Sequence, residues 1–198
     1  VQGFRLGRDG NSSDERNDWV ITPTNFFSSI LFDFKAAVSL YDDWSDNGDP
    51  TVIDGYPAHL NFFGGAAGDT AIGGTYEDEL FGRGGNDDLS GDRGSDLLDG
   101  GEGDDTLDGG ADADLIIGGF GMDSITGGSG DDGINGGAGG DTIDGGFGAD
   151  CIEGGRGNDV ITDLFGDNLV YGNDIGNTGI GDDNDVIQTG GGDDVIFG

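Results

Sequence analysis

From residue 64 onward an apolar residue recurs at every ninth position. Ala71, Leu80, Leu89, Leu98, Leu107, Ile116, Ile125, Ile134, Ile143, Ile152, Ile161 and Val170 hold this register without a gap. Such a spacing is neither the 3.6-residue period of an amphipathic helix nor the two-residue alternation of a long strand. It predicts a minimal strand of three residues, whose middle side chain faces one way while its neighbours face the other. Ahead of each strand stands a Gly-Gly-x-Gly-x-Asp hexamer, as in Gly100-Gly101-Glu102-Gly103-Asp104-Asp105. Glycine permits positive φ, so the hexamer can turn tightly and point successive carbonyls inward.

Written in nines, residues 64 to 171 make twelve units, with Gly at the first position eleven times, the second nine times and the fourth nine times. Two such units close one coil of a flattened spiral, and stacked coils build two parallel sheets around a column of Leu and Ile. The predicted fold is all-β, a right-handed parallel β-roll (β-solenoid). After Tyr171 the pattern slips by an eight-residue insertion, Gly172 to Gly179, expected to bulge as a loop, and then resumes for two more units ending at Phe197. No polar cap follows at Gly198, which predicts a roll end open to stacking.

The first 63 residues read differently. They hold 5 of the 46 Gly and 11 of the 18 aromatics. Trp19-Val20-Ile21, Phe26-Phe27, Ile30 to Phe34 and Ala37 to Tyr41 are short β-prone runs between polar turns, although residues 30 to 41 could instead form a short helix. The expected division is a small β-rich segment or cap over 1–63 and a repeat domain over 64–198. The chain begins at Val1 without a signal-peptide pattern, which leads us to expect a processed N-terminus or an excised segment.

Charge changes the picture most. With 41 Asp+Glu against 7 Lys+Arg, the formal net charge is -34. A field of that sign repels nucleic acid and anionic membranes, and no apolar run approaches the roughly 20 residues a bilayer-spanning helix needs. At 33% hydrophobic residues, such a chain stays unfolded unless something neutralises its acids. The acids are not scattered. The sixth position of the repeat holds Asp69, Asp78, Asp87, Asp96, Asp105, Asp114, Asp123, Asp132, Asp141, Asp150 and Asp159, then Asn168, and Asp185 and Asp194 stand there after the insertion. In stacked coils each carboxylate comes opposite the turn of the next coil, between walls of carbonyl oxygen. Oxygen-only cages of this kind suit calcium.

The repeats resemble those of the RTX (repeats-in-toxin) family, whose nonapeptide marks a calcium-binding parallel β-roll. The resemblance covers residues 64 to 197, with the slip at 172 to 179. It implies several Ca2+ ions between turns, type I secretion and a secreted, extracellular or cell-surface location. Carried onto this sequence, it pairs Asp69 with Asp87, Asp78 with Asp96, Asp87 with Asp105 and onward to Asp141 with Asp159, while Asp150 with Asn168 lacks one carboxylate. Departures are few. Ala67 and Tyr76 replace the fourth-position Gly, which suggests capping units. Arg83 and Asp92 stand at second positions and Asp112 at a fourth, and the Asp163-Leu164-Phe165 opening of the twelfth unit is expected to break the metal ladder.

Other chemistry finds little support. His59 is the only histidine, which removes a His-Glu-x-x-His zinc site and leaves any Ser-His-Asp triad dependent on that residue. Asp43 to Asp54 partly fits an EF-hand-like loop, against the simpler reading of an acidic turn. Cys151, at a seventh position, is expected to face outward. Phe147 and Phe165 are expected on one side of the roll and Phe120 on the other. An ice-binding face would need a regular Thr/Asn array, which the third positions lack. No enzyme activity is expected. The sequence favours a calcium-folded structural or adhesive module of a secreted protein, such as a surface-layer, filament or adhesin segment, able to self-associate. The alternative is the non-catalytic calcium module of a type I-secreted protease, lipase or alginate epimerase.

Overall fold

The computed structural model describes residues 20–21, 38–41, 52–53, 59–173 and 184–198. Every element within them is a strand. Four come first, β1 (Val20–Ile21), β2 (Val38–Tyr41), β3 (Val52–Ile53) and β4 (Leu60–Phe63). The repeats supply β5 (Thr70–Gly74), β6 (Glu79–Gly84), β7 (Asp88–Arg93), β8 (Leu97–Glu102), β9 (Thr106–Ala111), β10 (Leu115–Phe120), β11 (Ser124–Ser129), β12 (Gly133–Ala138), β13 (Thr142–Phe147), β14 (Cys151–Arg156), β15 (Val160–Phe165), β16 (Leu169–Asn173), β17 (Val186–Gly191) and β18 (Val195–Phe197). Odd-numbered strands form one parallel sheet and even-numbered strands the other, nine strands in each. The protein is therefore a parallel β-roll in which successive units alternate between sheets. Among the described residues no helix is long and apolar enough to cross a membrane.

Register follows the repeat. Ile125 pairs with Leu107 on one side and Ile143 on the other, a step of two units. All twelve eighth-position side chains from Ala71 to Val170 are at most 3% exposed, and Leu60 and Phe62 extend the same column. Across the insertion the step changes. Val160 pairs with Val186 and Leu169 with Val195, 26 residues on instead of 18. The eight extra residues are thus accommodated without loss of register. Most of the insertion, and with it the loop expected there, lies outside the described residues. So do the EF-hand-like loop at 43–54 apart from Val52–Ile53, the runs at Phe26-Phe27 and 30–34, and most of the stretch read as a possible helix; its end, Val38–Tyr41, is a strand paired in parallel with Leu60–Phe63.

One local expectation is corrected. The strands of a complete unit are six residues long and run through the Gly-Gly-x of the following unit, so that only positions four to six turn. The first glycine is not needed for φ. Its role is steric, since a Cβ on Gly136 would lie 2.5 Å from the carbonyl oxygen of Gly154 and 2.7 Å from Oδ2 of Asp141. The second and fourth glycines do take left-handed geometry, as at Gly137 (φ 100°) and Gly139 (φ 154°). Among the described residues the non-glycine positions with positive φ are Arg83, Asp92 and Asp112, three of the departures noted in the sequence. Ala67 and Tyr76 avoid that region, so their turns follow a different path.

Candidate metal centres

The sixth-position residues Asp69 to Asp159 and Asn168 are all buried, none more than 5% exposed. The repeat forces this. A turn of three residues leaves the Asp at the mouth of the next strand, two residues before the Leu or Ile of the core, and its side chain turns inward like its apolar neighbour. Stacking then organises the carboxylates. The backbone N–H of Asp87 donates to Oδ1 of Asp105 at 2.7 Å, and that of Asp105 to Oδ1 of Asp123 at 2.9 Å. Each Asp thus caps the turn one coil before it. Two such ladders run along the roll, one through Asp69, Asp87, Asp105, Asp123, Asp141, Asp159 and Asp185. The other runs through Asp78, Asp96, Asp114, Asp132, Asp150, Asn168 and Asp194.

The second carboxylate oxygen is where the chemistry lies. Oδ2 of Asp78, Asp87, Asp96, Asp105, Asp114, Asp123, Asp132, Asp141 and Asp150 is buried and meets no hydrogen-bond donor. Its surroundings are the first-position glycine of its own unit and the carbonyl oxygen of the first-position glycine one coil on, as with Asp105, Gly100 and the carbonyl of Gly118. An ionised oxygen buried among carbonyls is costly unless a cation shares the space. Among the described residues no three His, Cys, Asp or Glu side chains gather around a metal-sized gap. Any ion would therefore be held by one or two carboxylates plus backbone carbonyls, a donor set that fits a hard cation such as calcium. Asp69 differs, because its Oδ2 accepts from the N–H of Gly65 at 2.9 Å. Asp185 and Asp194 are only half-buried.

Burial also moves the titration of these groups. It pushes Asp78, Asp87 and Asp114 up to about 7 and Asp96, Asp123 and Asp132 up to about 6, from an ordinary 3.8, while the N–H bond from the preceding coil pulls the other way. Asp105, Asp141 and Asp150 shift upward for the same first cause. A carboxyl whose folded value lies above its unfolded one favours folding fully below about 3.8, and that contribution is lost as pH rises through about 6 to 7. Protons should therefore stand in for metal. In calcium-free buffer the full chain is expected to show more sheet by circular dichroism at pH 4.5 than at pH 7.5. Equal or smaller sheet content in acid would contradict the burial of these carboxylates.

The family model for the RTX calcium-binding nonapeptide repeat (4 copies) matches residues 63–98, 90–125, 99–134, 117–151, 126–161, 144–174, 153–184 and 175–198. The chain belongs to the RTX calcium-binding repeat family. No curated protein matches the sequence and no solved structure matches it. The RTX roll is a structural calcium-binding domain, and the sixth-position Asp residues with the first-position glycine carbonyls are the groups here that would hold the ions. When bound, calcium supplies positive charge to the buried oxygens. The protein itself supplies the two ladders, which hold the carboxylates from Asp78 onward through Oδ1 and turn the buried Oδ2 toward the gap.

Some features escaped the sequence reading. A further hydrogen-bond ladder uses the fifth position, the variable residue before the Asp. The N–H of Met122 donates to Oδ1 of Asp104 at 2.8 Å, that of Asp104 to Asn86, and that of Ala149 to Asp131. Asp or Asn in that slot was the available signal. Asp163 is fully buried, which a residue expected to break the ladder need not be. Cys151 is exposed as expected. His59 donates from Nδ1–H to the carbonyl of Glu77, 2.7 Å away, and its ring lies against Tyr76.

Proposed function

We propose that this roll is a calcium-folded structural or adhesive module of a secreted protein, acting outside the cell and associating laterally with further copies of itself. The supporting observation is the apolar decoration of its edges. Phe147 and Phe165 stack at 4.5 Å on one sheet while remaining 60% and 50% exposed. Phe120 and Met122, in and beside a strand of the other sheet, are 67% and 65% exposed. Aromatic pairs held rigidly on parallel strands offer contact area at little entropic cost. The formal charge of -34 keeps calcium-free chains apart, and ion binding removes that barrier. An extracellular setting supplies the calcium.

Calcium titration of the full chain, followed by light scattering and electron microscopy, tests the reading. Association should rise with calcium and fall for Phe147→Ser combined with Phe165→Ser. A folded chain that stays monomeric at every calcium level would overturn the lateral association.

A further inference from the structure

The twelfth unit is the one whose sixth position holds Asn168, and it is also the one whose first position holds an acid, Asp163, where the other eleven have Gly. The carboxylate has moved five residues along the unit. Its new place is inside the roll. Asp163 is 0% exposed, and neither of its oxygens makes a hydrogen bond of good geometry, the Phe165 N–H being the donor that pulls on its titration. In the regular units the first-position glycine is faced by a carbonyl oxygen from the next coil. At Gly145 that neighbour is replaced by a side chain, and a Cβ there would lie 2.7 Å from Oδ2 of Asp163 and 2.8 Å from Oδ2 of Asp150. The Asp150 and Asp163 carboxyl groups therefore lie side by side across the coil boundary, within reach of each other, and Oδ2 of Asp150 has no other donor. The register places Thr189 beside Asp163 on the following coil.

From this juxtaposition we infer that Asp150 and Asp163 form a two-carboxylate divalent-cation site that lies outside the sixth-position repeat pattern, with calcium as its ion. Two ionised carboxylates in contact and shielded from water repel one another strongly, and a divalent ion between them removes that repulsion while satisfying the orphaned oxygens. Two full charges on one ion make this site tighter than those built from one carboxylate and carbonyls, since affinity in oxygen cages rises with ligand charge. Asp163 thus replaces the carboxylate that Asn168 gave up, and its unit keeps a metal instead of interrupting the ladder. Burial, and after it the Asp150 charge, push Asp163 up to about 7, while the Phe165 N–H pulls the other way.

The inference rests on the calcium-binding reading, and the experiment separates the two. Bound calcium is counted by equilibrium dialysis on the full chain, wild type against Asp163→Asn and Asp163→Gly. Both variants should lose one ion, and it should be the one that binds at the lowest free calcium. Asp163→Gly restores the repeat's own glycine, so a retained count there would show that backbone alone holds the ion and overturn the inference. A retained count in Asp163→Asn would likewise assign the pair to a shared proton. A wild type that binds no calcium would defeat the underlying reading instead. Should either variant fail to reach wild-type ellipticity, europium substituted into the wild type decides. Its excitation spectrum should resolve a second line from a site of higher ligand charge, and a single line would overturn the inference.

Discussion

Stripping calcium from the full chain is expected to abolish most of its far-ultraviolet sheet signal at pH 7.5, and millimolar calcium to restore it. The reason lies in the width of the core. Each repeat strand from β5 to β16 contributes one buried apolar side chain, so the roll interior is a narrow column from Leu60 to Val170. Ordering a residue costs about 1–2 kcal/mol of backbone entropy, which one apolar side chain per nine residues cannot offset at roughly 1.5–3 kcal/mol apiece. Beside that column run carboxylates with nine buried oxygens from Asp78 to Asp150 that lack donors, and each such group costs on the order of 1–3 kcal/mol, more when charged. Cation binding removes that penalty, so metal affinity becomes folding free energy. Circular dichroism of the chain in millimolar EDTA and in millimolar calcium is the measurement. Equal sheet content in the two would sink the idea.

Two glycine substitutions six residues apart should act in opposite directions. Gly139 sits at φ 154°, and a Cβ there would overlap the carbonyl group of Gly121 in the coil beneath. Gly139→Ala should cost at least about 1–3 kcal/mol from its backbone region alone, and more because neither backbone can yield without parting the coils. Gly133 stands at a seventh position in β12, where a Cβ would find only the Leu115 side chain at 3.4 Å and the Asp114 carbonyl at 3.9 Å. There Ala removes freedom from the unfolded chain and should add about 0.4–1 kcal/mol. Urea unfolding in saturating calcium reads both. A Gly139→Ala protein as stable as wild type would mean that the coils are not in the contact described.

These contrasts show what the sequence could and could not display. The eighth and sixth positions were legible because one side chain per nine residues carries each role, and burial of Ile125 or Asp123 follows from spacing alone. Strand length was not, because a glycine required by a neighbouring coil looks the same in a sequence as one required by a turn. Gly136 is of the first kind and Gly139, in the turn with positive φ, is of the second. The burial of Asp163 was not legible for a related reason. A repeat template scores every departure as a loss, whereas the meaning of this one depends on Asp150, thirteen residues earlier and one coil away. The aromatic first part has no period to read. Its strand at Val38–Tyr41 showed in β-branched and aromatic content, while Val52–Ile53 is too short to stand out from its polar surroundings.

The 26-residue step at the insertion answers a question that identical coils leave open. Leu, Asp and Gly return every 18 residues, so a coil stacked one place too far along finds the same partners and gains nearly the same energy. A perfectly regular roll would have no means of counting its own coils. Here the pairing of Val160 with Val186 and of Leu169 with Val195 can be reached only when eight residues are set aside at one place in the chain. The irregular unit thus acts as an index mark, from which the number of coils on either side has a single correct value.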